Sequence, residues 1–182
     1  RELLVAGECF ASPLNHRLDK YYSAFPDTDK CFGSLGSFYK SYGMEGSWEC
    51  NPPFDTKSVV KALEQIKQLL TEATEQFNIL SFAVFFGEFS ADSRVGMIID
   101  DLKPFLRAST VAHEHVYLYG FQHRSAGGHG NVHWKALRPT QILLLQSDEA
   151  FKNICYSSQK KASNILEEVK VAFNQPLDRT AQ

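Results

Sequence analysis

The apolar run over residues 79–86 constrains the fold of this chain more than any other segment. Its sequence, ILSFAVFF, carries one polar side chain in eight positions and is rich in residues that favour strands. A strand with one solvated face alternates apolar and polar residues, whereas a continuous apolar run indicates a strand buried on both faces. We therefore expect a sheet that helices cover on both sides.

Further apolar runs predict four more strands, at 3–9, 46–50, 115–121 and 140–146. The intervening segments show helical periodicity instead, which is clearest where Val59, Leu63, Ile66 and Leu70 line one side of a helix. We expect that helix over 56–77 with Thr56 as its cap, further helices over 95–106, 148–155 and 160–173, and loops over 16–46 around one short helix at 16–23.

The alternation of strands and helices predicts an α/β fold with a mostly parallel sheet. The last two strands are separated only by the Gly- and His-rich loop 122–136, so we expect them to form an antiparallel hairpin at one edge. Strand, helix, strand, helix and a terminal hairpin form the layout of half of a Rossmann-like core. Its interior should include Val84, Phe85, Leu143 and Leu144.

Length, charge and cysteine content limit the classes of protein that remain. The 182 residues suit one domain over 1–182, and a net charge of −2 excludes a basic field over the whole surface. The four cysteines form no CxxC pair and no apolar run reaches about 18 residues, so we expect reduced thiols, no metal site and no membrane span. The strand-like opening at 1–5 predicts a fragment of a longer chain.

The tetrad Asn51-Pro52-Pro53-Phe54 carries the most specific chemistry in the chain. It lies between a predicted strand and a predicted helix, at the edge of the sheet where open α/β folds bind ligands. The Asn51 side-chain oxygen and the Pro52 carbonyl can accept the two N–H groups of the exocyclic amine of adenine. The prolines stiffen the turn and Phe54 can stack on the base. The alternative is an ordinary Pro-Pro turn before a helix.

A second polar segment, ECFASPLN over 8–15, follows the first predicted strand. Because the carboxyl ends of parallel strands meet at one edge, its side chains could hold a cofactor beside the tetrad. A glycine-rich cofactor loop is lacking, and a plain strand-to-loop turn is the alternative. The candidate cofactor ligands are Glu8, Cys9, Phe10, Ser12, Pro13 and Asn15.

A third segment, over 113–135, holds five of the six histidines. A metal site is disfavoured there, since His and Glu that alternate along a strand point to opposite faces. A nucleic-acid surface with cations on phosphates and aromatic rings on bases is one interpretation, and a solvated loop is the other. The candidate substrate-binding residues are His115, Tyr117, His123, Arg124, His133 and Lys135.

Six motifs in a fixed order resemble the phosphorylated CTD-interacting factor family of cap-specific adenosine N6-methyltransferases. They are ECFASPLN (8–15), SAFPDTD (23–29), FGSLGSF (32–38), GSWECNPPF (46–54), HEHVY (113–117) and HWKA (133–136). The family's tetrad is Asn-Pro-Pro-Phe, which Asn51 through Phe54 reproduce.

The resemblance implies an abbreviated class I methyltransferase core that uses S-adenosyl-L-methionine. Its substrate would be capped mRNA, methylated on N6 of the cap-adjacent adenosine. It also implies a nuclear location, with cytoplasm as the alternative, and contact with the RNA polymerase II tail through segments outside this chain.

Departures from the family pattern keep other functions open. The family has Phe-Glu-Ala where this chain has Trp48-Glu49-Cys50, Val116 stands where Glu is common, and we expect the N-terminal WW module and the preceding helical domain to be lacking. We expect cap recognition to be incomplete or different for that reason. An inactive RNA-binding or scaffold subunit and a DNA adenine N6-methyltransferase are the alternatives to an RNA methyltransferase.

Overall fold

The computed structural model describes residues 5–113, 116–118, 133–135, 139–158 and 162–174. Six strands form a mixed sheet and two more form a separate ribbon. The strands are β1 Val5–Ala11, β2 Lys20–Ser23, β3 Gly46–Cys50, β4 Leu80–Gly87, β5 Leu106–Ala112, β6 Val116–Leu118, β7 His133–Lys135 and β8 Thr140–Gln146. The helices are α1 Pro26–Asp29, α2 Thr56–Glu75, α3 Arg94–Asp101, α4 Asp148–Ser158 and α5 Ala162–Asn174, with 3₁₀ turns at Lys30–Phe32 and Phe38–Lys40.

The main sheet has the strand order β2-β1-β3-β4-β8-β5. Strands β1 to β4 run parallel, and β8 runs antiparallel to both of its neighbours, β4 and β5. From β1 the chain passes to β2 on one side and then returns to β3 on the other side of β1. This reversal creates a crevice beyond the carboxyl ends of β1 and β3, which is where open α/β sheets bind ligands.

Two apolar layers hold the sheet between its helices. Val59, Leu63 and Ile66 of α2 pack on one face with Trp48 and Phe82 from the sheet. On the other face, over β4, β8 and β5, the α5 residues Ile165 and Leu166 complete a smaller core. The predicted interior residues are all buried there or in the first layer, namely Val84, Phe85, Leu143 and Leu144.

The predicted strands at 46–50, 79–86 and 140–146 are confirmed, but the predicted C-terminal hairpin is wrong. The partner of β8 is β5, over Leu106–Ala112, whereas Val116–Leu118 pairs with His133–Lys135 in the separate ribbon. Pro104 and a run of turns over 102–105 end α3 early, so Leu106, expected as the last residue of that helix, begins β5 instead. Residues 106–112 form a strand because they pair with the apolar strand β8, and this long-range pairing cannot be inferred from local propensity.

The short helix expected at 16–23 is also wrong, because Lys20–Ser23 forms the edge strand β2. Its residues Tyr21, Tyr22 and Ser23 are buried, which matches the strand preference of tyrosine. Backbone hydrogen bonds from Leu35 N to the Tyr21 carbonyl, at 2.9 Å, and from Ser23 N to the Gly36 carbonyl, at 2.8 Å, occupy its outer edge. No helix among the residues the structure describes is long and apolar enough to cross a membrane.

Replacing Phe77 by Gly should stabilise the protein. Phe77 follows α2 with φ of 57°, and Asn78 N donates to the Ala73 carbonyl at 2.8 Å, which is the Schellman arrangement that favours glycine. The Phe77 side chain is 78% exposed, so little burial is lost. We expect a gain of about 1 kcal/mol, or about 2–4 °C in Tm by thermal denaturation. Phe77→Ala keeps the strain and is the matched control, and a glycine variant no more stable than it would contradict this prediction.

Candidate functional site

A small polar pocket of about 150 Å³ lies at the carboxyl ends of β1 and β3. It brings together residues from the ECFASPLN motif (8–15) and the GSWECNPPF motif (46–54) of the sequence. Because β1 and β3 are parallel neighbours, both motifs emerge at the same edge of the sheet. The lining residues are Glu8, Phe10, Ala11, Asn15, Glu49 and Asn51.

The tetrad turns the chain from β3 into α2. Asn51 follows the last residue of β3 and is exposed, whereas Pro52 is buried and anchors the turn. The cap of α2 is Asp55 rather than the predicted Thr56, and its carboxylate accepts from Ser58 N at 2.9 Å. Hydrogen bonds from Ser58 hold the pKa of Asp55 below its ordinary value. The helix therefore begins immediately after the tetrad and fixes its position.

Phe54 lies beside the end of β4. Its ring is 42% exposed, and a Cβ added at Gly87 would be 3.7 Å from its Cδ2 atom. Pro53, before it, is also exposed. The aromatic residue of the tetrad is thus supported by β4 and still partly open to a planar ligand.

The loop after β1 is held by its own side chains. Asn15 Oδ1 accepts from Ser12 N at 2.7 Å and from Ser12 Oγ at 3.0 Å, which closes the turn that follows β1. Glu8 Oε2 accepts from Arg17 N at 2.9 Å and so ties the far side of the loop to the strand. These bonds give the loop a defined shape without the glycines of a usual cofactor loop.

The candidate cofactor ligands divide into two groups in the structure. Glu8, Phe10 and Asn15 line the pocket. Ser12 instead stabilises the turn after β1 through its hydrogen bonds to Asn15, and Pro13 is part of that turn. Cys9 is 1% exposed and packs in the core. It adjoins Cys50, and burial, then a hydrogen bond with Cys50, raises the pKa of the Cys9 thiol well above its ordinary value. A thiol in that state is unreactive.

Glu49 is a pocket residue that the sequence analysis did not single out. It stands opposite Glu8 in the register of β1 and β3, and both carboxyl side chains line the pocket. Burial raises the pKa of Glu49, the charge of Glu8 raises it further, and Arg17 partly offsets the effect. Its spacing was an available signal, since Glu49 lies two positions before Asn51 and side chains two positions apart in extended chain point to the same side.

The third candidate segment lies largely beyond the residues that the structure describes. His115, His123 and Arg124 fall outside them. Tyr117 lies on β6, and His133 and Lys135 lie on β7, where Tyr117 is opposite Trp134 in the ribbon. Their substrate-binding role stays a prediction. Within the described ranges, no group of three His, Cys, Asp or Glu side chains could hold a metal ion.

Comparison with known proteins identifies the family. Residues 1–120 match the family model described as phosphorylated CTD interacting factor 1 WW domain. A human protein named mRNA (2'-O-methyladenosine-N(6)-)-methyltransferase is 34% identical over 173 residues, which are 94% of this chain and 23% of that protein. The mouse protein of the same name is 37% identical over 149 residues, or 81% of this chain and 20% of its own length. The chain thus spans about a fifth to a quarter of these relatives, and it belongs to the phosphorylated CTD-interacting factor 1 family.

Proposed function

We propose that this chain carries part of the catalytic core of an RNA adenine N6-methyltransferase that uses S-adenosyl-L-methionine. The observation that carries the proposal is the shared pocket: Asn51 of the tetrad, Glu8 of β1 and Asn15 of the loop after β1 line one cavity. The names of the human and mouse relatives support the same reaction class. The mostly parallel sheet, with its one antiparallel strand beside β4, supports a Rossmann-like methyltransferase core.

The donor atoms of the pocket suit such a methyl donor. Two carboxylates, from Glu8 and Glu49, would face a molecule that carries positive charge, and the Asn15 amide could bond to its polar groups. The Phe10 ring adds an apolar wall. The volume of about 150 Å³ is below the roughly 300 Å³ at which small-molecule pockets begin, so these residues would hold part of the molecule.

The tetrad would orient the target amine. When bound, S-adenosyl-L-methionine supplies an electrophilic methyl group on a sulfonium. Asn51 Oδ1 would accept one N–H of the adenine amine and the Pro52 carbonyl the other, which draws the nitrogen toward tetrahedral geometry and frees its lone pair. Pro52 is buried and α2 begins at Thr56, so the Pro52 carbonyl and the backbone that carries Asn51 are held in place before the substrate arrives.

We also propose the cap-adjacent adenosine of mRNA as the substrate, because the names of both relatives specify 2'-O-methyladenosine in mRNA. The family description refers to interaction with the CTD, which supports a nuclear location and contact with the RNA polymerase II tail. In this proposal the segment 124–138 contacts the RNA backbone, since Arg124, Lys135 and Arg138 bring positive charge and no acidic residue lies among them.

A methyl-transfer assay tests the proposal. The full-length protein is incubated with labelled S-adenosyl-L-methionine and capped RNA, uncapped RNA or DNA of the same sequence. We expect label on N6 of the adenosine next to the cap. RNA binding without transfer would favour the scaffold alternative, and transfer confined to DNA would favour a DNA methyltransferase.

A further inference from the structure

We infer that Glu49, acting with Glu8, makes the pocket selective for a cationic ligand, so that it holds the sulfonium methyl donor more tightly than the neutral thioether product. This inference rests on the proposed function and deepens it. It concerns which charge state of the cofactor the pocket prefers, and it assigns that preference to a residue two positions before the tetrad.

The geometry places two carboxylates in one small cavity. Glu8 and Glu49 are register partners on the parallel strands β1 and β3, and the pocket that they line also contains Asn51. Glu8 is anchored by the backbone N–H of Arg17 at 2.9 Å. Glu49 has no hydrogen bond or ion pair to any residue within the described ranges, so its carboxylate is available to a ligand.

The position of Glu49 beside Glu8 disfavours the ionised form of its carboxyl group. Burial removes water from its carboxylate and the neighbouring Glu8 charge repels it, and both effects raise its pKa. The charge of Arg17 offsets only part of this. A bound cation would supply the missing counter-charge at short range, where the surroundings screen it less than bulk water does.

The donor and the product differ by one positive charge at sulfur. Both carry the same amino acid and adenosine groups, so bonds to those groups cannot distinguish them. A negatively charged pocket beside the reacting centre can distinguish them, because the Glu49 carboxylate attracts the sulfonium of the donor and the product has no charge at sulfur. Loss of that attraction after transfer would weaken retention of the product and favour its release.

Isothermal titration of the full-length protein with three probes tests the inference. The probes are S-adenosylmethionine, S-adenosylhomocysteine and an analogue in which a protonated amine replaces the sulfonium. For Glu49→Gln we expect donor and amine analogue to lose on the order of 10-fold in affinity, while the thioether changes by less than about twofold. Glu49→Asp keeps the charge and should retain most of the preference.

Two further measurements keep the result interpretable. Glu75→Gln removes the same charge from an exposed position at the end of α2 and should leave all three affinities unchanged. Thermal denaturation without ligand should show Glu49→Gln to be at least as stable as the parent at neutral pH, because the substitution removes a desolvated charge. Equal losses for the three probes, or no loss, would overturn the inference. Failure of the parent protein to bind any probe would overturn the proposed function, and the inference with it.

Discussion

Replacing Asn51 by Ala should lower the rate of methyl transfer by about 10²–10³-fold while donor binding persists. Asn51 lines the pocket at the end of β3 and supplies a side-chain carbonyl oxygen where the proposed target amine would lie. Alanine leaves the amine with one acceptor, so less of its lone pair is freed for attack. The loss falls on the chemical step because the bond is made to adenine and not to the cofactor.

Single-turnover kinetics at saturating donor and capped RNA give the rate, and calorimetry gives donor affinity. Asn51→Asp supplies an oxygen acceptor of similar size and should keep partial activity. Asn153→Ala on α4 removes an amide from an exposed position outside the pocket and serves as the control. Parental turnover in Asn51→Ala would eliminate the tetrad mechanism, whereas equal losses in rate and donor affinity would indicate a distorted pocket.

The candidate site could be predicted where it depends on strand order alone. Parallel neighbours deliver their carboxyl ends to one edge, so Glu8 and Asn51 could be expected to meet once 3–9 and 46–50 were assigned as strands. Glu49 depends on register as well. A single carboxylate near the end of a short strand is ordinary, and its position opposite Glu8 gives it a significance that its spacing from Asn51 alone does not.

The errors in the fold prediction have a common physical cause. Strand β5 contains Arg107, Ser109 and Thr110, so it lacks the continuous apolar character that marks β4 and β8. It forms because β8 offers an unpaired edge distant in sequence. The edge strand β2 is four residues long and too short for periodicity to identify. Long-range pairing determines both elements, and local pattern does not contain that information.

Replacing Phe82 by Ala should have the largest effect on stability. The Phe82 ring is fully buried at the centre of the sheet, between its register partners Trp48 on β3 and Leu145 on β8. Removal of such a ring costs about 3–5 kcal/mol, because burial is lost and the surroundings only partly fill the cavity. That is a large share of the roughly 5–15 kcal/mol that stabilises a typical domain.

The same substitution should also lower donor affinity, because aromatic contacts connect Phe82 to Phe10, which lines the pocket. The Phe82 ring lies edge-to-face on Phe38 at 6.2 Å, and Phe38 lies edge-to-face on Phe10 at 5.3 Å. A cavity at Phe82 lets Phe38 move inward, and Phe10 then loses its support, so donor affinity should fall even in the folded fraction.

Chemical denaturation measures the loss of stability and calorimetry measures donor affinity. Phe32→Ala, at a residue that is 68% exposed, is the control and should stay within about 0.5 kcal/mol of the parent in stability. A loss below about 1 kcal/mol at Phe82 would contradict the packing described for this core. Lost stability with unchanged donor affinity would show instead that Phe10 is held by its second aromatic neighbour, Tyr39, whose ring centroid is 5.5 Å from that of Phe10.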